Sequence, residues 1–78
     1  MTYVIFGRKT CPYCQRAVML LIKTNNDYYF SEFNNMNSKQ KNELYDRGLS
    51  REHTTVPVIF NNGKFLGGLS ELKKSLNF

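Results

Sequence analysis

Tyr3-Val4-Ile5-Phe6-Gly7-Arg8-Lys9-Thr10-Cys11-Pro12-Tyr13-Cys14 holds both cysteines of the chain and the junction from which its fold is read. Tyr3 to Phe6 are aliphatic or aromatic with no polar alternate. That is the pattern of a short strand covered on both faces, as in a parallel sheet, and Gly7 ends it. Arg8 to Thr10 form a loop. Pro12 suits the first helical position, because its missing N–H would have no helical partner there and its φ is already right. Cys11 is then the N-cap residue. A helix is expected from Pro12 to about Thr24, with Cys14, Ala17, Val18, Leu21 and Ile22 recurring near helical spacing as its buried face.

Working outward, Asn25-Asn26-Asp27 breaks that helix, and Tyr28 to Phe33 reads as a second strand. The polar, Asn-rich stretch from Asn34 to Lys41 is a loop leading into a second helix, Ser38 to Arg47. Ser38 or Asn37 can cap that helix and Gly48 can close it. Val56 to Phe60 is a third strand entered at Pro57. Asn61-Asn62-Gly63 is a hairpin signal, since Asn and Gly tolerate the positive φ such turns need. Lys64 to Leu66 returns as a short fourth strand, Gly67-Gly68 breaks the chain, and Ser70 is placed to cap a last helix from Glu71 to about Leu76. The order is β-α-β-α-β-β-α. Its first unit implies parallel strands with a right-handed crossover, and the hairpin adds an antiparallel pair. The expected fold class is α/β, a four-stranded mixed sheet flanked by three helices.

Composition narrows the function. The 78 residues fit one small domain, at roughly 100–200 residues per domain, so residues 1–78 are read as a single unit. The longest apolar run, Ala17 to Ile22, is six residues, against about 20 for a membrane span. The opening Met1-Thr2-Tyr3-Val4 lacks the basic region of a secretory signal, so a cytoplasmic protein without membrane partners is expected. Eleven Lys+Arg against six Asp+Glu give a net charge of +5, which suits an anionic ligand or surface. The basic residues are scattered and form no run of five or more, so no nucleic-acid partner is expected.

A Cys-x-x-Cys pair can be half of a zinc site, an incidental pair or a redox dithiol. A structural zinc site needs four ligands. The chain has two Cys and one His, His53, which reads as a loop surface residue, so no metal is expected. Position favours the redox reading. At the N-cap, the Cys11 sulfur faces the free N–H groups of Tyr13 and Cys14 and the positive end of the helix dipole. Both favour thiolate, as do the nearby charges of Arg8 and Lys9. Cys14 lies one turn up the same helical face, within disulfide range. Cys11 is therefore assigned the attacking role, and Cys14 the resolving one.

These residues carry a family resemblance. Val4-Ile5-Phe6-Gly7-Arg8 followed by Cys11-Pro12-Tyr13-Cys14 resembles the opening of a dithiol glutaredoxin. Thr55-Val56-Pro57 is similar to the family's TVP motif, and Gly67-Gly68-Leu69-Ser70-Glu71-Leu72 to its GG motif. The three motifs keep the family's order from residue 4 to residue 72. The resemblance implies a thioredoxin fold and a monomeric, glutathione-dependent disulfide reductase acting on disulfide-containing or glutathionylated proteins, with a ribonucleotide reductase as one such acceptor. It also implies a cis Val56–Pro57 bond, with Val56 pairing with the cysteinyl backbone of glutathione. Gly68, Leu69, Ser70 and Glu71 would meet the γ-glutamyl carboxylate and Arg8 the glycyl carboxylate, with Tyr13, Thr55 and Pro57 as further contacts. Two alternatives stand beside it: a redoxin reduced by thioredoxin reductase, and an iron–sulfur cluster carrier. Pro12 opposes the latter, since cluster-binding relatives usually carry a smaller residue there. The family's second helix often supplies a glutamine. Leu44-Tyr45-Asp46-Arg47 stands in that place here, and the segment from Gly48 to Thr54 looks longer, which makes Arg47 and Arg51 substitute candidates.

Overall fold

A computed structural model describes residues 2–50 and 55–77. The apolar run that opens the chain is β1 (Thr2–Gly7). It is followed by α1 (Pro12–Lys23), β2 (Asp27–Glu32), a 3-10 turn (Phe33–Asn35), α2 (Ser38–Asp46), β3 (Val58–Asn61), β4 (Lys64–Gly67) and α3 (Leu69–Ser75). The strand order is β2-β1-β3-β4. β1 pairs parallel with β2 and antiparallel with β3, and β3 pairs antiparallel with β4. The expected mixed sheet and element order are thus present. No helix among the described residues is long and apolar enough to cross a membrane.

β1 is an inner strand, which explains its lack of polar alternation. Tyr3 and Ile5 join Ala17, Leu20, Leu21, Ile59 and Leu72 in one cluster, under α1 and α3. Val4 and Phe6 pack on the opposite face against Leu44, Leu49, Val58 and Phe60, under α2. Phe6 and Phe65 both meet Phe60 edge-on, with centroids 5.9 and 5.7 Å apart. Such pairs contribute about 0.5–1.5 kcal/mol each beyond their buried area.

Several boundaries differ from the sequence expectations for identifiable reasons. Ile22 is not on the buried face of α1: it is 53% exposed, and Leu20 is buried instead. The buried arc is centred on Ala17. Three residues further on, Leu20 lies about 60° from that centre, whereas Ile22, five residues on, lies about 140° away. Val56 and Pro57 precede β3 and are not part of it, as Pro57 has no N–H to give a ladder. Phe33 leaves β2 to open the 3-10 turn. Of the two caps expected for α2, Asn37 is the one used: its Oδ1 accepts from Gln40 N–H at 2.8 Å, while Gln40 Oε1 accepts from Asn37 N–H at 3.0 Å. The hairpin turn uses positive φ at Asn62 (52°) and Gly63 (83°), as its residues suggest.

The last helix starts earlier than expected. Gly68, not Ser70, is its N-cap, and α3 begins at Leu69. Glu71 reaches back to accept the Gly68 N–H at 2.7 Å, which makes it the third helical residue. This return requires Gly67, whose φ is +138° and where a Cβ would lie 2.5 Å from the Glu71 carboxylate.

Candidate active site

Cys11 sits where Pro12 places it, at the N-cap of α1 with extended backbone (φ −82°, ψ 121°). Its N–H donates to the Arg8 carbonyl at 3.1 Å, closing the loop that carries Arg8 and Lys9. The residue is partly exposed. It closes no full capping bond, yet the Cys14 N–H directed at it holds its pKa below the ordinary thiol value. Partial burial opposes this. The Cys14 thiol, which can donate to the Cys11 thiolate, the Tyr13 N–H and the Arg8 charge all reinforce it.

Cys14 is fully buried. Its pKa is pushed up to about 11, chiefly by burial, against a weak hydrogen bond from the Arg8 N–H at 3.5 Å. The Cys11 thiolate and the Glu32 carboxylate contribute to that rise. The Cys14 sulfur occupies space that only a glycine leaves: a Cβ on Gly7 would stand 2.5 Å from it. One helical turn thus prepares two sulfurs oppositely, one partly exposed and more readily ionised, the other sheltered and held as a thiol.

Two clefts meet at Tyr13, the residue just before Cys14, and at Thr55 and Val56. The first, of about 600 Å³, is lined by Arg8, Tyr13, Phe33, Tyr45, Thr55, Val56 and Val58. The second, of about 350 Å³, runs from Tyr13, Thr55, Val56 and Pro57 to Gly68, Leu69, Ser70 and Glu71, with Arg16 and Lys73 on its rim. All nine residues put forward as ligand contacts therefore line one cleft or the other. The Val56–Pro57 bond is cis. The Gly68 N–H is already committed to Glu71.

Sequence reading passed over Phe33, Tyr45, Arg16 and Lys73. Arg16 carried a usable signal: three residues after Tyr13 on one helix, it stacks over that ring at 5.7 Å. Phe33 and Tyr45 are brought in by the 3-10 turn and α2, with no local signature. Arg47 lines neither cleft; it borders a small cavity with Val4, Phe6 and Gly63. Arg51 and His53 lie outside the described residues.

The Glutaredoxin family model matches residues 3–66. A probable glutaredoxin of Acanthamoeba polyphaga mimivirus is 39% identical over 83 aligned positions, covering 97% of this chain and 78% of its own. Reduced Escherichia coli glutaredoxin has a similar structure, with a TM-score of 0.78 at 29% identity, covering 99% of this chain and 94% of that one. A dithiolic glutaredoxin of Trypanosoma brucei brucei follows at a TM-score of 0.69 and 36% identity, covering 96% and 75%. The chain therefore belongs to the glutaredoxin family, thiol–disulfide oxidoreductases built on the thioredoxin fold.

Proposed function

We propose that this glutaredoxin uses glutathione as its reductant and acts on both protein disulfides and glutathione mixed disulfides. The Cys11 thiolate attacks one sulfur of the substrate disulfide. That S–S bond breaks and the other sulfur leaves as a thiolate. Cys14, once deprotonated, attacks Cys11, releases the reduced substrate and leaves a Cys11–Cys14 disulfide. Two glutathiones return the two electrons and end as glutathione disulfide, the first passing through a mixed disulfide on Cys11. Glutathionylated substrates need Cys11 alone. A cytoplasmic setting, where thiols are kept reduced, suits this chemistry. A ribonucleotide reductase is one protein acceptor that the family suggests, and mixed disulfides trapped on a Cys14→Ser variant would name the acceptors.

The observation that carries the reading is the meeting of both clefts at Tyr13, Thr55 and Val56, with a cationic residue at one end and the start of α3 at the other. Glutathione would lie along Val56, its glycyl carboxylate toward Arg8 and its γ-glutamyl carboxylate at the N–H groups of Leu69 and Ser70. With two main-chain contacts, side-chain substitution at Leu69 should matter little. Arg8→Ala should lower catalytic efficiency with glutathione about five- to tenfold, on the order of 1 kcal/mol for a partly exposed charge-assisted bond. The loss should shrink as salt rises. Reaction of Cys11 with a small neutral disulfide controls for thiolate tuning: equal losses in both reactions would mean that Arg8 does not hold the ligand. Coupled assays with glutathione reductase and with thioredoxin reductase decide the reductant, and turnover with the latter alone would overturn the proposal.

A further inference from the structure

The outer side of α1 carries a groove of about 420 Å³ that shares only Arg16 with the clefts. It is lined by Pro12, Gln15, Arg16, Met19, Leu20 and Lys23, a stripe climbing the helix from the residue next to Cys11 to its last turn. An outward helix face is ordinarily polar. Here Met19 is 55% exposed, and Ile22 beside it is 53% exposed. Met19 and Gln15 also border a neighbouring apolar groove of about 460 Å³ on the β2 side, which has Arg8 and Lys9 at its edge. Every charged residue lining these two grooves is basic: Arg16 and Lys23 on one, Arg8 and Lys9 on the other.

We infer that this face of α1 docks the protein substrate itself, taking a segment with an apolar side chain followed by acidic residues beside the disulfide. The inference rests on the dithiol chemistry described above. It concerns how protein disulfides are chosen, and not how glutathione is held. Continuity with the active site through Pro12 and the uniform positive charge specify the occupant. Helical rise sets the register. Met19 lies about 12 Å along the axis from Cys11 and Lys23 about 18 Å. An extended substrate strand advancing about 3.3 Å per residue therefore brings its fourth residue after the attacked cysteine to Met19, and its fifth and sixth toward Lys23.

The test uses three capped peptides, each with one cysteine and oxidised to its symmetric disulfide, so that either sulfur attacked carries the same tail. The tails place Leu-Glu-Glu, Ser-Glu-Glu or Leu-Lys-Lys at positions four to six. Pre-reduced protein is mixed with each peptide in single turnover without glutathione. The protein dithiol becomes the Cys11–Cys14 disulfide as two peptide thiols are released. Rates are normalised to those with dithiothreitol, which removes intrinsic differences between the disulfides. The Leu-Glu-Glu dimer should react about fivefold faster than Ser-Glu-Glu, from partial burial of the Leu side chain. It should also react about fivefold faster than Leu-Lys-Lys, from exposed charge pairing lost and reversed. Met19→Asp, an exposed change, should abolish the preference for Leu over Ser. Lys23→Glu should reduce the preference for Glu over Lys by about twofold or more. Both variants should keep wild-type rates with a small neutral disulfide. Equal normalised rates for the three peptides, or preferences unchanged in the variants, would overturn the docking surface and leave the dithiol chemistry standing. Failure of all three peptides to react would overturn that chemistry and the inference together.

Discussion

Replacing Gly7 by alanine tests the packing on which the resolving sulfur depends. Gly7 is a buried strand residue whose φ is not positive, so its backbone would accept alanine. On that ground alone the substitution should stabilise by about 0.4–1 kcal/mol, through a less disordered unfolded chain. The obstacle is space. The new Cβ would lie 2.5 Å from Cys14 Sγ and 3.3 Å from Cys14 Cβ. Real Cβ atoms do not approach so closely, and neither neighbour is the free end of a long side chain. The first turn of α1 must shift, and overpacking of this kind costs about 1–3 kcal/mol. Overpacking outweighs the entropy gain, leaving a net loss of about 1–2 kcal/mol. At roughly 4–8 °C per kcal/mol for a domain of this size, Tm should fall by roughly 5–15 °C. The shift also moves Cys14 relative to Cys11, so reduction of protein disulfides should suffer more than removal of glutathione from a mixed disulfide. Thermal unfolding of the reduced protein and the two activities, measured side by side, check this. An unchanged or raised Tm with both activities intact would show that Gly7 is not required by the Cys14 sulfur.

Three further outcomes are expected. Iodoacetamide should alkylate Cys11 before Cys14, with a rate that rises with pH and levels off below the pH where an ordinary thiol would, as its lowered pKa requires; preferential modification of Cys14 would reverse the roles. Cys14→Ser should keep deglutathionylation while losing reduction of those protein disulfides that need a second thiol; equal loss of both would refute the one-thiol route. Stability should also depend on pH through Cys14. Between its ordinary value of 9.0 and its folded value of about 11, the unfolded chain has released the proton and the folded chain has kept it, so stability falls as pH rises. The stability difference between the reduced protein and Cys14→Ala should therefore decline from pH 9 to pH 11 in urea titrations.

How far the sequence could be read depended on whether a signal was local. β1, α1 and the hairpin turn were legible because each is written in neighbouring residues: an unbroken apolar run, a proline after an N-cap cysteine, and Asn-Asn-Gly. The inequality of the two sulfurs was legible for the same reason, since it follows from their places on one helix. The start of α3 was not, because Glu71 competes with Ser70 for the cap through a reach back to Gly68 that depends on the backbone at Gly67. The exposure of Ile22 is not legible, because a buried arc is set by what α1 packs against, and periodicity alone leaves its centre free. The cleft wall formed by Phe33 and Tyr45 comes from elements distant in sequence, and nothing near either residue marks it.

The opposed shifts at Cys11 and Cys14 raise a kinetic question. A thiol with a pKa of about 11 is a thiolate in about one molecule in ten thousand at pH 7, yet Cys14 must attack as a thiolate. Part of what raises its pKa is the Cys11 thiolate itself, both as a hydrogen-bond acceptor and as a charge. When Cys11 enters a mixed disulfide, its charge and much of its acceptor strength disappear. Burial and Glu32 still hold the proton on Cys14, and the Arg8 N–H still favours its release. Cys14 is therefore held back while Cys11 is free and becomes more acidic only after Cys11 has reacted, so the order of the two attacks is built into one helical turn. Thiolate absorbance should show this directly. Cys14 should titrate at lower pH in protein whose Cys11 is carboxamidomethylated, or replaced in Cys11→Ala, than in the reduced wild type, while staying above an ordinary thiol because it remains buried. An unchanged or higher Cys14 pKa in both forms would mean that burial alone sets it, and that the sequence of attack is decided by exposure.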